Sequence, residues 1–223
     1  MKITKNCDIL LLKGSDSVMK KCYIIGAGDV DFSVKPVADE SDFIICADGG
    51  YKFKYIFDKE PDLVVGDYDS LGYIPETKDK IIAPCEKDET DMMLAVNEGI
   101  KRGYTEFVIY GALGGSRFDH SVANIQLLSY ICSKNAKGTI IHNKQKFTAF
   151  KNGELSLSKE HKGYISVFSL CDESRGVTIK NLKYEVENYR LRSDCPIAVS
   201  NEFVGKESKI AVNDGVLLVI CGL

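Results

Sequence analysis

The chain has 223 residues, 44% hydrophobic and 27% charged, with a net charge of -3 at pH 7. This balance belongs to a folded globular protein rather than a disordered one, and it offers no basic field for a polyanion such as nucleic acid. Eight scattered cysteines without a C-x-x-C pair argue against a disulfide framework or a structural zinc site and fit a reducing cytoplasm. The apolar patch Ile9 to Leu12 is too short for a signal-peptide core or a membrane span, so residues 1–20 read as an extension to the first domain.

The run Cys22 to Ile25 followed by Gly26-Ala27-Gly28-Asp29 reads as a first strand and its turn. A dinucleotide fingerprint fails there, because Asp31 stands where the third glycine belongs. A second strand, Phe43 to Ala47, ends in Asp48-Gly49-Gly50 and leads into a helical segment at Tyr51 to Phe57. Pro61 closes that segment before the apolar run Leu63-Val64-Val65, which stops at Gly66-Asp67-Tyr68-Asp69-Ser70. This is the signature of a buried parallel strand that delivers acids to the carboxyl edge of a sheet, where open α/β folds bind ligands.

Asp67 and Asp69 are two apart, a spacing that in an extended segment turns both side chains to one face. At ~5 Å and an effective dielectric of about 20, such a pair repels by roughly 3 kcal/mol. A divalent cation relieves this, and oxygen ligands alone suit Mg²⁺. A polar turn is the simpler explanation for any isolated Asp-x-Asp, so the rest of the chain has to decide.

Ile81 to Ala83 is a further strand, followed by Lys87-Asp88-Glu89-Thr90-Asp91 and a helix with an apolar stripe at Met92, Val96 and Ile100. Asp88 is the expected N-cap, while Asp91 sits at the positive end of the same helix, where it can join the other acids. Phe107 to Tyr110 is the next strand, ending in the loop Gly111 to Arg117. Its glycines let N–H groups converge, the following helix adds positive potential, and Arg117 offers a planar fork for phosphate. It is not a Walker A loop. The helix is expected to begin near Asp119, to run through Val122, Ile125, Leu128 and Cys132, and to end between Asn135 and Gly138. His120 reads as structural.

Beyond His142 to Lys144 the chain becomes a series of short β-rich runs: Gly163 to Leu170, Gly176 to Ile179, Pro196 to Val199 and Gly215 to Ile220. The fold class is therefore an α/β N-terminal domain with a mostly parallel sheet, residues 21–143, followed by an all-β sandwich C-terminal domain, residues 144–223.

Five motifs in order, Asp48-Gly49-Gly50, Gly66 to Ser70, Lys87 to Asp91, Gly114 to His120 and Val199-Ser200-Asn201-Glu202, resemble those of thiamine pyrophosphokinases. The resemblance implies Mg²⁺-dependent transfer of diphosphate from ATP to the hydroxyl of thiamine, with AMP leaving, in a cytoplasmic homodimer with thiamine sites at its interface. It implies a metal cluster of Asp48, Asp67, Asp69 and Asp91, with Asp67, Asp69, Asp91 and Arg117 as catalytic residues. ATP would meet Gly49, Gly66, Ser70, Lys87, Asp88, Gly114, Gly115 and Arg117, and thiamine would meet Asp119, Tyr184, Ser200 and Asn201. Ser116 lengthens the glycine loop relative to the family's common Gly-Gly-Arg form, and Asn181 stands where the family usually has Gly. With no Trp in the chain, an aromatic platform has to be Tyr or Phe. Two other readings are a metal-dependent sugar-nucleotide transferase and a non-catalytic nucleotide- or thiamine-sensing module.

Overall fold

The computed structural model describes residues 20–77, 79–84 and 88–223. Most of the expected N-terminal extension, and Lys87, lie outside them. The described chain divides into two compact units, the first ending at Phe150 and the second starting at Lys151.

The first unit is built on seven strands: β1 (Lys21–Ile25), β2 (Phe43–Ala47), β3 (Leu63–Gly66), β4 (Lys80–Ile82), β5 (Glu106–Tyr110), β6 (Lys137–His142) and the start of β7 (Gln145–Leu157). Their order is β4-β3-β2-β1-β5-β6-β7, parallel through β6 and antiparallel at β7. From β1 the chain steps outward through β2, β3 and β4, then returns to place β5 on the other side of β1. The strand order therefore reverses at β1, and the crevice such a reversal leaves at the carboxyl edge is where ligands bind in open α/β sheets.

Both faces of this sheet are covered, which is why its strands are continuous apolar runs rather than alternating ones. Ile24, Ile25, Ile44, Ile45, Leu63, Val64, Phe107 and Ile109 are all essentially inaccessible. One face packs into a cluster of Tyr23, Ile25, Ile44, Cys46, Val64, Tyr68 and Tyr110 with Ile56 and Phe57, the last two from the segment after β2. That segment opens with a 3-10 helix, Asp48–Ile56, which Phe57 caps.

Helix α1 (Asp91–Lys101) buries Met92, Ala95, Val96 and Gly99, which includes two of the three expected stripe positions. Its N-cap is Thr90, whose Oγ1 accepts the Met93 N–H at 3.2 Å, and not the expected Asp88. Helix α2 (Phe118–Ser133) buries Ser121, Asn124, Leu127, Leu128, Ile131 and Cys132. Of the expected stripe, Val122 is 44% exposed: the buried face is rotated because two polar residues, Ser121 and Asn124, face inward to bond the preceding loop. The helix also stops earlier than expected, so that Lys137 can open β6.

The second unit is β-rich and antiparallel. Strand β12 (Ser208–Gly222) pairs through Lys209 to Ala211 with β9 (Glu173–Lys180), and through Leu217 to Cys221 with β8 (Tyr164–Ser169). Between these halves Gly215 adopts φ +134, its N–H donating to Asn152 Oδ1 at 2.8 Å, and the strand changes partners there. β9 also pairs with β10 (Val186–Arg192), and β8 with the short β11 (Asn201–Glu202). Pro196 to Val199, expected as a strand, is irregular; only the Ala198 carbonyl reaches the sheet, accepting the Val167 N–H at 2.8 Å. Among the described residues no cysteine forms a disulfide, and burial pushes the Cys22 and Cys46 thiols well above their ordinary range.

Candidate active site

Three loops leave the carboxyl ends of β1, β2 and β3 and meet at Gly49, where an added Cβ would lie 3.1 Å from Ala27 Cβ and 3.3 Å from Ser70 Cβ. Directly before Gly49, Asp48 turns the chain with φ +43. Asp67 follows the last residue of β3, and Asp91 is the first residue of α1. Each of the three acids offers a carboxylate oxygen within 4.8 Å of the others. Asp48 Oδ1 is buried without a hydrogen-bond partner. A buried carboxylate oxygen left unsatisfied beside two more acids is costly, and the remedy matching an all-oxygen donor set is a hard divalent cation. Asp91 is further favoured by the positive end of α1.

Asp69 does not share that volume. β3 ends at Gly66, and Tyr68 adopts φ +64, so Asp67 to Asp69 forms a turn instead of an extended segment. The Asp69 N–H donates to Asp67 Oδ1 at 3.1 Å, and the Asp69 side chain is exposed. The two-residue spacing therefore does not place both carboxylates on one face, because the alternation rule holds only while the backbone stays extended. Lys52 closes the same turn from outside, donating from Nζ to the Ser70 carbonyl at 2.7 Å.

The second part of the site is the loop after β5. Backbone bonds fasten it to the loop after β1: Gly26 N–H to Tyr110 O, Gly28 N–H to Gly111 O and Asp29 N–H to Leu113 O, each at 2.8 Å. These replace the phosphate contacts that a dinucleotide fingerprint would make, which accounts for glycines at 26 and 28 without one. From the other side, Asn124 Nδ2 donates to Ala112 O at 2.7 Å, and Ser121 Oγ accepts the Gly114 N–H at 3.0 Å. The Gly114 N–H is thus already engaged, while Gly115 is exposed at φ +75. Arg117 lies over Asp119 in a two-pronged pair, Nε to Oδ1 at 3.0 Å and Nη2 to Oδ2 at 2.7 Å. The guanidinium holds the Asp119 carboxyl down to about 2, so both groups are charged throughout the neutral range. Nη1 is outside this pair.

In the second unit, Tyr184, Ile197, Ala198, Val199 and Asn201 line a depression of about 290 Å³. The Tyr184 ring is 60% exposed, but Asn201 is buried. Asn201 Oδ1 accepts the backbone N–H of Tyr184 and of Glu202, both at 2.9 Å, and its Nδ2 donates to Tyr184 O at 2.7 Å. Its carboxamide is used mainly to hold the Tyr184 backbone. Truncating Asn201 to Ala removes all three of these part-buried hydrogen bonds and is expected to lower stability by about 1–3 kcal/mol, measured as a shift of the urea midpoint at constant slope.

Two family models match this chain: the thiamin pyrophosphokinase catalytic domain over residues 34–141 and the thiamin pyrophosphokinase vitamin B1 binding domain over residues 154–217. The chain belongs to the thiamine pyrophosphokinase family. It is 29% identical to the thiamine pyrophosphokinase of Bacillus subtilis over 162 residues, covering 70% of this chain and 75% of that one. A crystal structure of thiamine pyrophosphokinase from Bacillus subtilis superposes with a TM-score of 0.78 at 27% identity, over 91% of this chain and 99% of the other. The Candida albicans thiamin pyrophosphokinase, at 18% identity and a TM-score of 0.69 over 92% of this chain and 90% of its own, shares the fold. The catalytic-domain match contains the acidic triad and the glycine loop, and the vitamin B1 match contains Tyr184 and Asn201. The sugar-nucleotide reading is not favoured by these matches.

Sequence reasoning overlooked Tyr68, treated there as the spacer of an Asp-x-Asp motif. It also overlooked Ser121 and Asn124 as anchors of the glycine loop. A polar pair three apart inside an otherwise apolar helix face was the available signal for the latter.

Proposed function

We propose that this member of the thiamine pyrophosphokinase family uses ATP as diphosphate donor and Mg²⁺ as its metal, releasing AMP and thiamine diphosphate. The observation that carries the metal assignment is the convergence of Asp48, Asp67 and Asp91, with one oxygen of Asp48 buried and unsatisfied. Asp48, Asp67 and Asp91 would hold the cation; Asp69, on the exposed side of the same turn, is the fourth acid the family resemblance implies. The bound ion would neutralise charge on the phosphate oxygens as the bond to the leaving AMP breaks.

In this reading the hydroxyl oxygen of thiamine attacks the β-phosphorus of ATP, a P–O bond forms to that oxygen as its proton is lost to solvent, and the bond between the β-phosphorus and the bridging α,β oxygen breaks, the oxygen leaving with AMP. Such displacements depend on positioning and on charge stabilisation more than on covalent chemistry by the protein. Arg117, fixed in plane by Asp119 at the start of α2, supplies a cationic donor for a phosphate oxygen. For ATP, the residues this reading assigns are Gly49, Gly66 and Ser70 beside the acids, Gly114 and Gly115 three and two residues before Arg117, and Asp88 before Asp91 in sequence; Lys87, the remaining one, lies outside the described residues. Tyr184 and Ser200 offer thiamine an exposed ring and hydroxyl, and an aromatic face favours its cationic thiazolium. A homodimer is what the family resemblance implies, and Tyr164, Ile197 and Val204 of the second unit are exposed and available to such an interface. Among the described residues no helix is long and apolar enough to cross a membrane; a cytoplasmic location is what the family resemblance implies.

The deciding experiment incubates the protein with ATP, thiamine and Mg²⁺ and resolves the nucleotides. AMP and thiamine diphosphate in equal amounts, absent without thiamine and absent with chelator, are expected. ADP as the product, or AMP release independent of thiamine, refutes the assignment.

A further inference from the structure

Tyr68 lies between the two acids of the Gly-Asp-x-Asp-Ser turn, yet it is buried to 3% and belongs to the main apolar cluster of the first unit. Its hydroxyl donates toward the carbonyls of Val64 and Ile81, at 3.1 and 3.2 Å, and so spans the edge pair β3 and β4. At the same residue the backbone is left-handed, with φ +64. A bulky residue holds that conformation only where its surroundings over-determine it. Here the ring in the core and the hydroxyl on two strand carbonyls provide that constraint. The consequence appears one residue to either side: Asp67 joins Asp48 and Asp91, whereas Asp69 is turned out to solvent.

We propose that Tyr68 is a positioning residue, whose anchored ring holds the inverted backbone that divides the two aspartates between the acidic triad and the open side of the site. It touches no substrate and acts through Asp67. An extended backbone at this position would carry both acids to one face, adding the charge of Asp69 to the repulsion already present among the acids there. This inference rests on the reading of the triad as a cation site.

The test uses Mn²⁺ as the probe, its binding to the intact protein followed by the loss of the free-ion electron paramagnetic resonance signal, without nucleotide or thiamine. Wild type is expected to bind, and Asp67→Asn to bind weakly. Tyr68→Phe keeps the ring and is expected to stay within about threefold of wild type, whereas Tyr68→Gly, which permits the inverted backbone but no longer enforces it, is expected to lose about tenfold or more. Tyr68→Leu, which fills the core without a planar anchor, is read in place of the glycine variant if circular dichroism shows that variant unfolded.

The double variant Tyr68→Gly/Asp67→Asn separates positioning from general loosening. If Tyr68 works through Asp67, the second change adds little to the first; independent effects would multiply. A folded Tyr68→Gly or Tyr68→Leu protein with wild-type Mn²⁺ affinity, or multiplicative losses in the double variant, overturns the positioning role while leaving the metal site standing. Failure of wild type to bind Mn²⁺ overturns the metal reading, and the positioning role with it.

Discussion

Asp48→Asn is expected to lower kcat/KM for diphosphate transfer by on the order of 10²- to 10³-fold while raising the melting temperature measured in chelator. The two effects share one cause. Asp48 Oδ1 is buried without a partner, and its carboxylate shares a small volume with Asp67 and Asp91. Without a cation, three negative groups there repel one another, and removing one charge relieves the folded state. With a cation, the same charge contributes to binding, and its loss weakens both the ion and the stabilisation the ion confers. Asn is close to isosteric and is among the side chains that best tolerate the left-handed backbone found at φ +43, so the substitution changes charge without disturbing the turn. Thermal unfolding with and without Mg²⁺ reads the second effect: the Mg²⁺-dependent rise seen in wild type should shrink or vanish. Activity retained within about threefold, together with an unchanged Mg²⁺-dependent rise, would remove Asp48 from the metal site.

How much of this was legible beforehand depended on the kind of signal. The strands at Cys22 to Ile25, Phe43 to Ala47 and Leu63 to Gly66 were readable because a sheet covered on both faces demands unbroken apolar runs, and the acids that terminate them were readable as sheet-edge residues. β6 and β7 were not, since Lys137 to His142 follows a helix without a strong breaker and the end of that helix was placed too late. Pro196 to Val199 has strand composition, but its proline cannot donate to a ladder, and it stays outside the sheets. Side-chain direction was least legible. The inward orientation of Asp67 and the outward one of Asp69 depend on one dihedral angle at Tyr68, which tertiary packing sets and residue spacing does not. Asn201 is a comparable case: in the sequence it is a polar residue of a family motif, and in the fold most of its hydrogen-bonding capacity holds the backbone of Tyr184.

Gly66→Ala is the second substitution with a large expected effect, and its origin is steric. Gly66 has φ +148, a conformation that side-chain-bearing residues rarely adopt, and a Cβ there would lie 2.9 Å from Asp48 Cβ, 3.0 Å from Asp48 Cα and 3.2 Å from Asp48 N. The obstacle is backbone, so no side-chain rotation relieves it. Gly66 cannot retreat either, because its carbonyl accepts the Ala83 N–H at 2.9 Å and its Cα is in register with Ile82 of β4. Strain and overlap together are expected to cost about 2–4 kcal/mol of stability. Whatever folded protein remains must displace Asp48, so kcat should fall well beyond the loss of folded material. Gly103→Ala supplies the comparison, since Gly103 has φ +87 but nothing within 4 Å of its added Cβ, and it lies beyond the end of α1 opposite Asp91. That variant bears the backbone strain alone, about 1 kcal/mol, and should keep wild-type kcat. Equal kcat in the two alanine variants, after correction for the folded fraction by urea titration, would show that Asp48 does not need to be where Gly66 lets it stand.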